Sequence, residues 1–176
     1  MTKYSVSPTN RERTFGEDDI IVSKTDASGR ITYANDVFLD VALYSEREVL
    51  GQPHSIVRHP DMPRSVFKLL WDTVQARQEI FAYVKNMAKN GDHYWVFAHV
   101  TPSFGANDEI VGFHSNRRLP RPEALSKIEP IYRQLLEEEN RHGNRKDGMM
   151  AGYRMLSSLL ESQSPTQKEL SGFSWL

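Results

Sequence analysis

The chain has 176 residues, of which 39% are hydrophobic, and its 22 Lys+Arg and 23 Asp+Glu give a formal net charge of -1. This length predicts one domain with an appendage, and the balanced charge excludes a global field that would draw the protein to nucleic acid or an anionic membrane. Because the chain has no cysteine, disulfides, thiol nucleophiles, iron–sulfur clusters and cysteinyl–flavin adducts are excluded.

The first predicted elements are an arm, a hairpin and a short helix. Residues 1–17 are polar and have no apolar period, which predicts a flexible or loosely docked N-terminal arm. Two β-branched runs within residues 20–33 flank an Asp-Ala-Ser-Gly turn, in which Gly29 can adopt a positive φ, so they predict a β-hairpin. Asn35 or Asp36 can cap the helix that follows. The apolar face of this helix consists of Val37, Phe38, Val41 and Leu43.

A second helical signal and an irregular segment come next. Ser45 and Glu48 form the Ser-x-x-Glu pattern of a capping box, which predicts a single helical turn. Residues 52–63, called the connector below, hold three prolines and two histidines and fit neither a strand nor a helix period, so an ordered loop is predicted. Pro63 suits the first turn of another helix, which ends near residues 75–78. Its buried stripe consists of Val66, Leu69, Leu70 and Val74.

Three strands complete the predicted domain. Residues 80–87 and 93–101 flank an Asn-Gly turn signal, and residues 109–118 follow a second turn. Consecutive strands at both ends of the domain, with helices between them, exclude a parallel βαβ sheet. Over residues 18–120 this order predicts an α+β domain, a five-stranded antiparallel sheet with short helices on one face.

The C-terminal third predicts helices and a tail. Apolar residues recur every three to four positions over residues 121–162, with a break near residues 141–148, and predict C-terminal amphipathic helices. Residues 163–176 are predicted to be a tail, either frayed or a docking peptide. No stretch of the chain approaches the roughly 18 apolar residues of a transmembrane helix, and no secretion signal is present, so a cytoplasmic protein without a membrane span is expected.

Several strings of residues resemble the PAS domain of bacterial aerotaxis receptors, in order and at fitting intervals. The strings are residues 31–36, 51–54, 58–63, 70–71, 84–86 and 89–95. Arg-His-Pro-Asp-Met-Pro and Asn-Gly-Asp-His-Tyr-Trp are far more specific than the general PAS pattern. In that family the domain binds FAD non-covalently, does no catalysis and changes the output of an attached signalling module with its redox state. The resemblance therefore implies a PAS fold and a flavin site.

The same resemblance implies a role in cofactor retention for three residues of the connector, Arg58, His59 and Asp61. Arg58 offers a guanidinium fork to phosphate oxygens, and Asp61 can accept a hydrogen bond from a ribityl or ribose hydroxyl. The structural alternative is a self-contained loop in which Asp61 caps the next helix and pairs with Arg58.

Five further positions match the family's site. Asn86 stands in a β-rich run that its own strand propensity does not favour, and it resembles the amide that meets the N5 and O4 edge of the flavin. Trp71 either walls the ring pocket or fills the core, and Asn35 can serve both as a helix cap and at the pocket. Ser23 and His54 match positions that line the pocket or are ordinary strand and loop residues.

Alternative readings remain open at this point. FMN can replace FAD, and a haem-binding PAS gas sensor is a second candidate because the chain has six histidines. A cofactor-free PAS adaptor for dimerisation is a third. No phosphate loop, nucleophile elbow or zinc-protease motif is present, so no enzyme is predicted.

The C-terminal part of the chain bears on how such a sensor passes on its signal. Aerotaxis receptors continue into a membrane anchor and a coiled-coil signalling domain, whereas this chain ends after two predicted helices. The chain is therefore expected to be either a stand-alone sensor with a protein partner, which Met1 and the short tail favour, or a fragment of a larger receptor. The C-terminal helices are expected to serve homodimerisation or partner contact. We expect removal of residues 123–176 to leave flavin bound and to change the oligomeric state.

Overall fold

A five-stranded antiparallel sheet forms the centre of the molecule. The computed structural model describes residues 6–162. Its strands are β1 (Ile21–Asp26), β2 (Ile31–Ala34), β3 (Ile80–Met87), β4 (His93–Phe104) and β5 (Ile110–Arg118). They lie in the order β2-β1-β5-β4-β3, so the first and last strands of the domain are neighbours. The predicted α+β architecture is confirmed.

The helices are α1 (Asp36–Ala42), α2 (Glu46–Val49), α3 (Arg64–Gln75), α4 (Pro122–Asn140) and α5 (Arg145–Ser162). The predicted caps form, since Asn35 accepts a hydrogen bond from the backbone N–H of Phe38 at 3.1 Å and Ser45 donates to Glu48 at 3.0 Å. Within the connector, residues His54–Val57 form a 3₁₀ turn that the irregular composition did not predict. Among residues 6–162, no helix has the length and apolar character needed to cross a membrane.

Strand alternation separates the two faces of the sheet. Asn86 pairs with Tyr94, and Lys85 pairs with Trp95, so the first pair lies on one face and the second on the other. The face of Asn86 is covered by α3 and the connector. On the opposite face, Tyr132 of α4 packs against Trp95 with ring centroids 6.2 Å apart and donates a hydrogen bond to the backbone carbonyl of Tyr83 at 2.6 Å.

The connector meets both outer strands of the sheet. At one side, Arg58 forms a β-bridge with Asn86 of β3. At the other side, the backbone N–H of Ile31 donates to the carbonyl of Gln52 at 2.8 Å, and Arg30 bridges Pro53. A loop without a strand or helix period is therefore ordered by backbone hydrogen bonds to two separate strands.

The C-terminal hairpin, meaning α4 and α5, docks on α3 through a buried carboxylate. Glu139 of α4 is 1% exposed and accepts hydrogen bonds from the backbone N–H groups of Arg64 and Ser65 at 3.0 and 2.8 Å. It also accepts from the Ser65 hydroxyl and the Arg64 guanidinium at 2.8 and 2.9 Å. Because Pro63 supplies no side-chain cap, Glu139 acts as the N-terminal cap of α3 from another element.

Two glycines of α5 permit this close approach. A Cβ at Gly148 would lie 2.1 Å from the Glu139 carbonyl oxygen, and one at Gly152 would lie 2.8 Å from the Glu139 side chain. Only hydrogen at these positions lets α5 pack so near to the end of α4. The two C-terminal helices are thus joined closely to the sensor domain.

The described part of the N-terminal arm, from residue 6 onward, docks on the β3–β4 turn, which is the second of the two predicted possibilities. Thr9 and Arg11 bond to the carboxylate of Asp92, at 2.5 and 3.2 Å, and the backbone N–H of Arg13 donates to the carbonyl of His93 at 2.7 Å. The pairing depends on where the β3–β4 turn presents Asp92. Composition contains no information about that placement.

Candidate functional site

A cavity of about 490 Å³ lies between the sheet, the connector, α3 and α5. Its volume falls within the range of small-molecule and cofactor sites. Most of its wall is apolar, including Leu70, Trp71, Val84, Ala98, Val100 and Phe113. Met149 of α5 also lines it, so the C-terminal hairpin contributes to the wall. This contact argues against treating that hairpin as a separable appendage.

The structure brings five of the eight sequence-predicted site residues together around this cavity. They are Ser23, His54, Arg58, Trp71 and Asn86. The Trp71 ring meets Phe113 edge-on, with ring centroids 5.2 Å apart, and a Cβ added to Gly29 would lie 3.0 Å from it. Trp71 therefore serves both as wall and as packed core, so the two readings that the sequence left open hold together.

Asn86 is 4% exposed and lines the cavity from β3. Its backbone is fixed between Tyr94 on β4 and the Arg58 bridge of the connector. Arg58 is itself placed over the Phe67 ring, 4.0 Å from its centroid. An amide that can both donate and accept is thus held at a defined point of a largely apolar wall.

The other three predicted residues lie outside the cavity wall. Asn35 caps α1 and also accepts from the Val22 backbone N–H at 2.9 Å, which ties α1 to β1. Asp61 has a side chain 58% exposed that lies 3.3 Å from Lys85, and the first backbone N–H groups of α3 are capped by Glu139. As binding residues, these two and His59 stay predictions.

His59 is fully buried and makes contacts away from the cavity. Its Nδ1 accepts a hydrogen bond from the Asp61 backbone N–H at 3.1 Å, and its ring lies edge-on to His93 with centroids 5.9 Å apart. Burial, together with the charge of Lys85, lowers the pKa of His59 to about 4. The neutral imidazole thus helps to order the connector.

Arg117 is a site residue that the sequence interpretation missed. It is 4% exposed, and its Nη2 donates to Ser23 Oγ at 2.8 Å and to His54 Nε2 at 2.6 Å. Burial lowers the pKa of Arg117 to about 10, which leaves the guanidinium charged at neutral pH. Burial and the adjacent cation lower the pKa of His54 to about 3, so His54 is neutral and accepts through Nε2.

The charge of the wall is one-sided. Among residues 6–162 the cavity is lined by the cations Arg58, Arg64, Lys68 and Arg117, and by no aspartate or glutamate. Buried polar atoms without a protein partner occur on the lining residues Thr25, Ser115 and Arg117. Apolar walls, unsatisfied polar groups and excess positive charge fit a ligand with a planar ring, polar ring edges and phosphates, as a flavin nucleotide has.

Haem fits less well. His54 is the histidine that lines the cavity within the described part of the chain, and its Nε2 already accepts a hydrogen bond from Arg117. An axial bond to iron would have to replace this contact. Residues 6–162 also contain no group of three or more His, Cys, Asp or Glu side chains arranged to hold a metal ion.

Comparisons with known proteins agree with this geometry. Residues 31–117 match the family model described as PAS fold. A solved light-oxygen-voltage domain has the same fold, with a TM-score of 0.55 at 17% identity over 70% of this chain and 87% of that chain. The chain therefore carries a PAS domain.

The curated relatives narrow the type of PAS domain. The aerotaxis receptor of Escherichia coli (strain K12) is 39% identical over 127 residues, which are 72% of this chain and 25% of the receptor. The nitrogen fixation regulatory protein of Klebsiella pneumoniae is 29% identical over 56% of this chain and 20% of that protein. The PAS domain of this chain is of the aerotaxis-receptor type, and the matched part spans about a quarter of that receptor.

Proposed function

We propose that this protein is a cytoplasmic redox or oxygen sensor that binds FAD non-covalently and signals to a partner protein in an aerotaxis-type pathway. The observation that carries the proposal is the cavity, which combines an apolar slot, a buried strand amide and four cations without a lining carboxylate within residues 6–162. The similarity of this PAS domain to the aerotaxis receptor also supports the proposal. So does the solved light-oxygen-voltage domain, whose study concerns a flavin analogue.

Each part of the wall has a task in this proposal. The apolar side chains of Trp71, Val84 and Phe113 exclude water from the ring system, and the cations of α3 and the connector favour the phosphates. FAD is preferred to FMN because its second phosphate can meet more than one of the four cations that line the cavity. A bound flavin supplies electron uptake and release, and the protein supplies orientation and electrostatics.

Asn86 is the proposed switch. A carboxamide presents a donor and an acceptor on the same carbon, so Asn86 can keep its hydrogen bond by rotating when a ring nitrogen changes from acceptor to donor. Its backbone bridge to Arg58 then links the rotation to the connector. Signalling follows as a change in structure, and no catalytic role is proposed for any residue.

The deciding experiment is the absorption spectrum of the purified protein, followed by denaturation and chromatography of the released chromophore. We expect a flavin spectrum and a released compound that co-migrates with FAD. A Soret band would establish the haem alternative. A folded, colourless protein that does not bind added FAD or FMN would overturn the proposal and leave the cofactor-free adaptor.

A further inference from the structure

Arg117 is a buried cation in the wall of the cavity. Its guanidinium contacts Ser23 Oγ and His54 Nε2, and its Nη1 is buried with no hydrogen-bond partner. Within residues 6–162 no carboxylate pairs with it. Removing a cation from water is costly unless an opposite charge or a full set of hydrogen bonds compensates.

The titratable neighbours of Arg117 cannot supply that negative charge. His54 is neutral at physiological pH. Tyr94 is fully buried, and burial raises the pKa of its hydroxyl well above the ordinary value, so the phenol also stays neutral. Phe38 lies under the guanidinium, with its centroid 5.7 Å away, and contributes only the weak attraction of a ring face.

The cations on the α3 side of the cavity, unlike Arg117, have carboxylate partners. Arg64 pairs with Glu139 at 2.9 Å, and Lys68 pairs with Asp72 at 2.7 Å. Arg117 extends from β5, on the opposite side of the cavity from those helical residues, and lines the same space. Among residues 6–162, Arg117 is thus a cation of the cavity wall without a paired carboxylate and with an unsatisfied buried donor.

We propose that Arg117 is an anion-binding residue of the cavity, and that the cavity selects a ligand with a negative charge placed against this guanidinium. The inference rests on, and deepens, the proposed flavin function. Two parts of a flavin nucleotide can provide the charge: the phosphates, or the pyrimidine edge of the ring, which becomes more negative on reduction.

The test compares the wild-type protein with Arg117→Gln after removal of bound chromophore. Dissociation constants are measured for FAD, FMN and riboflavin, and the midpoint potential is measured for bound FAD. A phosphate contact predicts that the variant loses FAD and FMN affinity roughly tenfold or more while riboflavin binding is unchanged. If Arg117 contacts the ring, the variant should lose more affinity for reduced flavin than for oxidised flavin. A roughly tenfold difference between these losses lowers the midpoint potential by about 30 mV for a two-electron couple.

Arg118→Gln is the matched control, because Arg118 is the next residue on β5 and is exposed. It should change none of these values. Arg117→Lys keeps the positive charge, so it should retain part of the wild-type flavin affinity. This variant keeps the inference testable if Arg117→Gln folds poorly, as judged by circular dichroism. Unchanged affinities and an unchanged potential in folded Arg117→Gln and Arg117→Lys would overturn the inference.

A second readout separates this inference from the flavin proposal. The colourless protein is titrated with anilinonaphthalene sulfonate, which is anionic, and with uncharged phenylnaphthylamine. We expect a preference for the anionic dye that Arg117→Gln removes and Arg118→Gln keeps. If the wild-type protein does not bind flavin but prefers the anionic dye, the flavin proposal is wrong and the proposed anion-binding role of Arg117 is supported. Equal binding of both dyes in wild type and variant would count against the site itself.

Discussion

Asn86 and Arg117 share the cavity because of strand alternation. Asn86 pairs with Tyr94 and Arg117 pairs with Ala98, and both partners lie on the same face of β4. One position presents a neutral amide that can donate and accept, and the other presents a fixed cation. The site therefore combines a group that can follow a change of hydrogen bonding with a group that responds only to charge.

Asn86→Asp should disrupt both binding and switching. A carboxylate accepts but does not donate, and its negative charge would compete with an anionic ligand for the cations of the wall, so we expect flavin affinity to fall by roughly tenfold or more. The remaining flavin-bound fraction should give the same limited-proteolysis pattern when oxidised and reduced. Asn116→Asp, on the opposite face of the sheet, is the control. Intact flavin binding with an intact redox-dependent pattern would show that Asn86 is not the switch.

His54 should make stability depend on pH. Its pKa in the folded protein is about 3, against an ordinary value of 6.5, so between these values the unfolded state binds more protons. Stability therefore falls as the pH decreases through this window, by about 1.4 kcal/mol per pH unit for one such proton. Urea unfolding at about pH 7 and about pH 5 should show a smaller loss for His54→Asn than for the wild type. An equal loss would mean that His54 is not the group responsible.

The sequence predicts the site residues unevenly, for physical reasons. Asn86 stands out because an amide is unusual in an apolar strand. An arginine near the end of a strand is ordinarily solvated, so Arg117 attracts no attention, although it continues the alternation of Phe113 and Ser115 at every second residue, which was a usable signal. The orientation of His59 depends on the bridge between Arg58 and Asn86, which no local pattern encodes.

At the scale of elements, the C-terminal hairpin is part of the cavity wall and caps α3. Four donors converge on Glu139, and α3 in turn carries Trp71 to the cavity. The helical period predicts that α4 and α5 exist, but it cannot say which surface receives them. The four-residue spacing of Gly148 and Gly152 was the one sequence signal of a close helix contact.

Glu139→Ala should weaken both the fold and the retention of the ligand. Removing the buried carboxylate leaves the first N–H groups of α3 and the Arg64 guanidinium without their acceptor, so we expect a loss of about 3 kcal/mol in the free energy of unfolding. Flavin dissociation should also be faster. Urea unfolding and stopped-flow release of flavin measure the two effects. Glu137→Ala, at an exposed position on the same helix, should match the wild type; a comparable loss there would point to a general effect on α4.

At the scale of the whole molecule, the order of elements predicts the topology well. Two strands, three short helices and three strands leave few antiparallel arrangements that avoid crossed connections, and the observed sheet is one of them. The docking of the N-terminal segment and of the C-terminal hairpin depends on long-range contacts, such as those at Asp92 and at Glu139. Local patterns do not record such contacts.

A chain ending at Pro120 should lose flavin, in contrast to the expectation drawn from sequence alone. It lacks Met149 from the wall and Glu139 from the cap of α3, so the cavity opens and α3 is destabilised. A chain ending at Ser162 is the control and should keep flavin. Absorbance and light scattering give chromophore content and molar mass. Full retention of flavin by the shorter chain would restore the view of the hairpin as an appendage, and a changed mass would support its proposed role in homodimerisation.

The position of the connector has one further consequence. A single stretch of chain meets the outermost strand on both sides of the sheet, at Asn86 and at Ile31. Unpaired strand edges are where copies of a protein add to one another in open-ended stacks. The connector covers part of both outer strands and also encloses the cavity. If the cavity were empty and the connector loosened, both strand edges would become exposed at the same time. Occupancy of the cavity and resistance to aggregation are therefore physically linked.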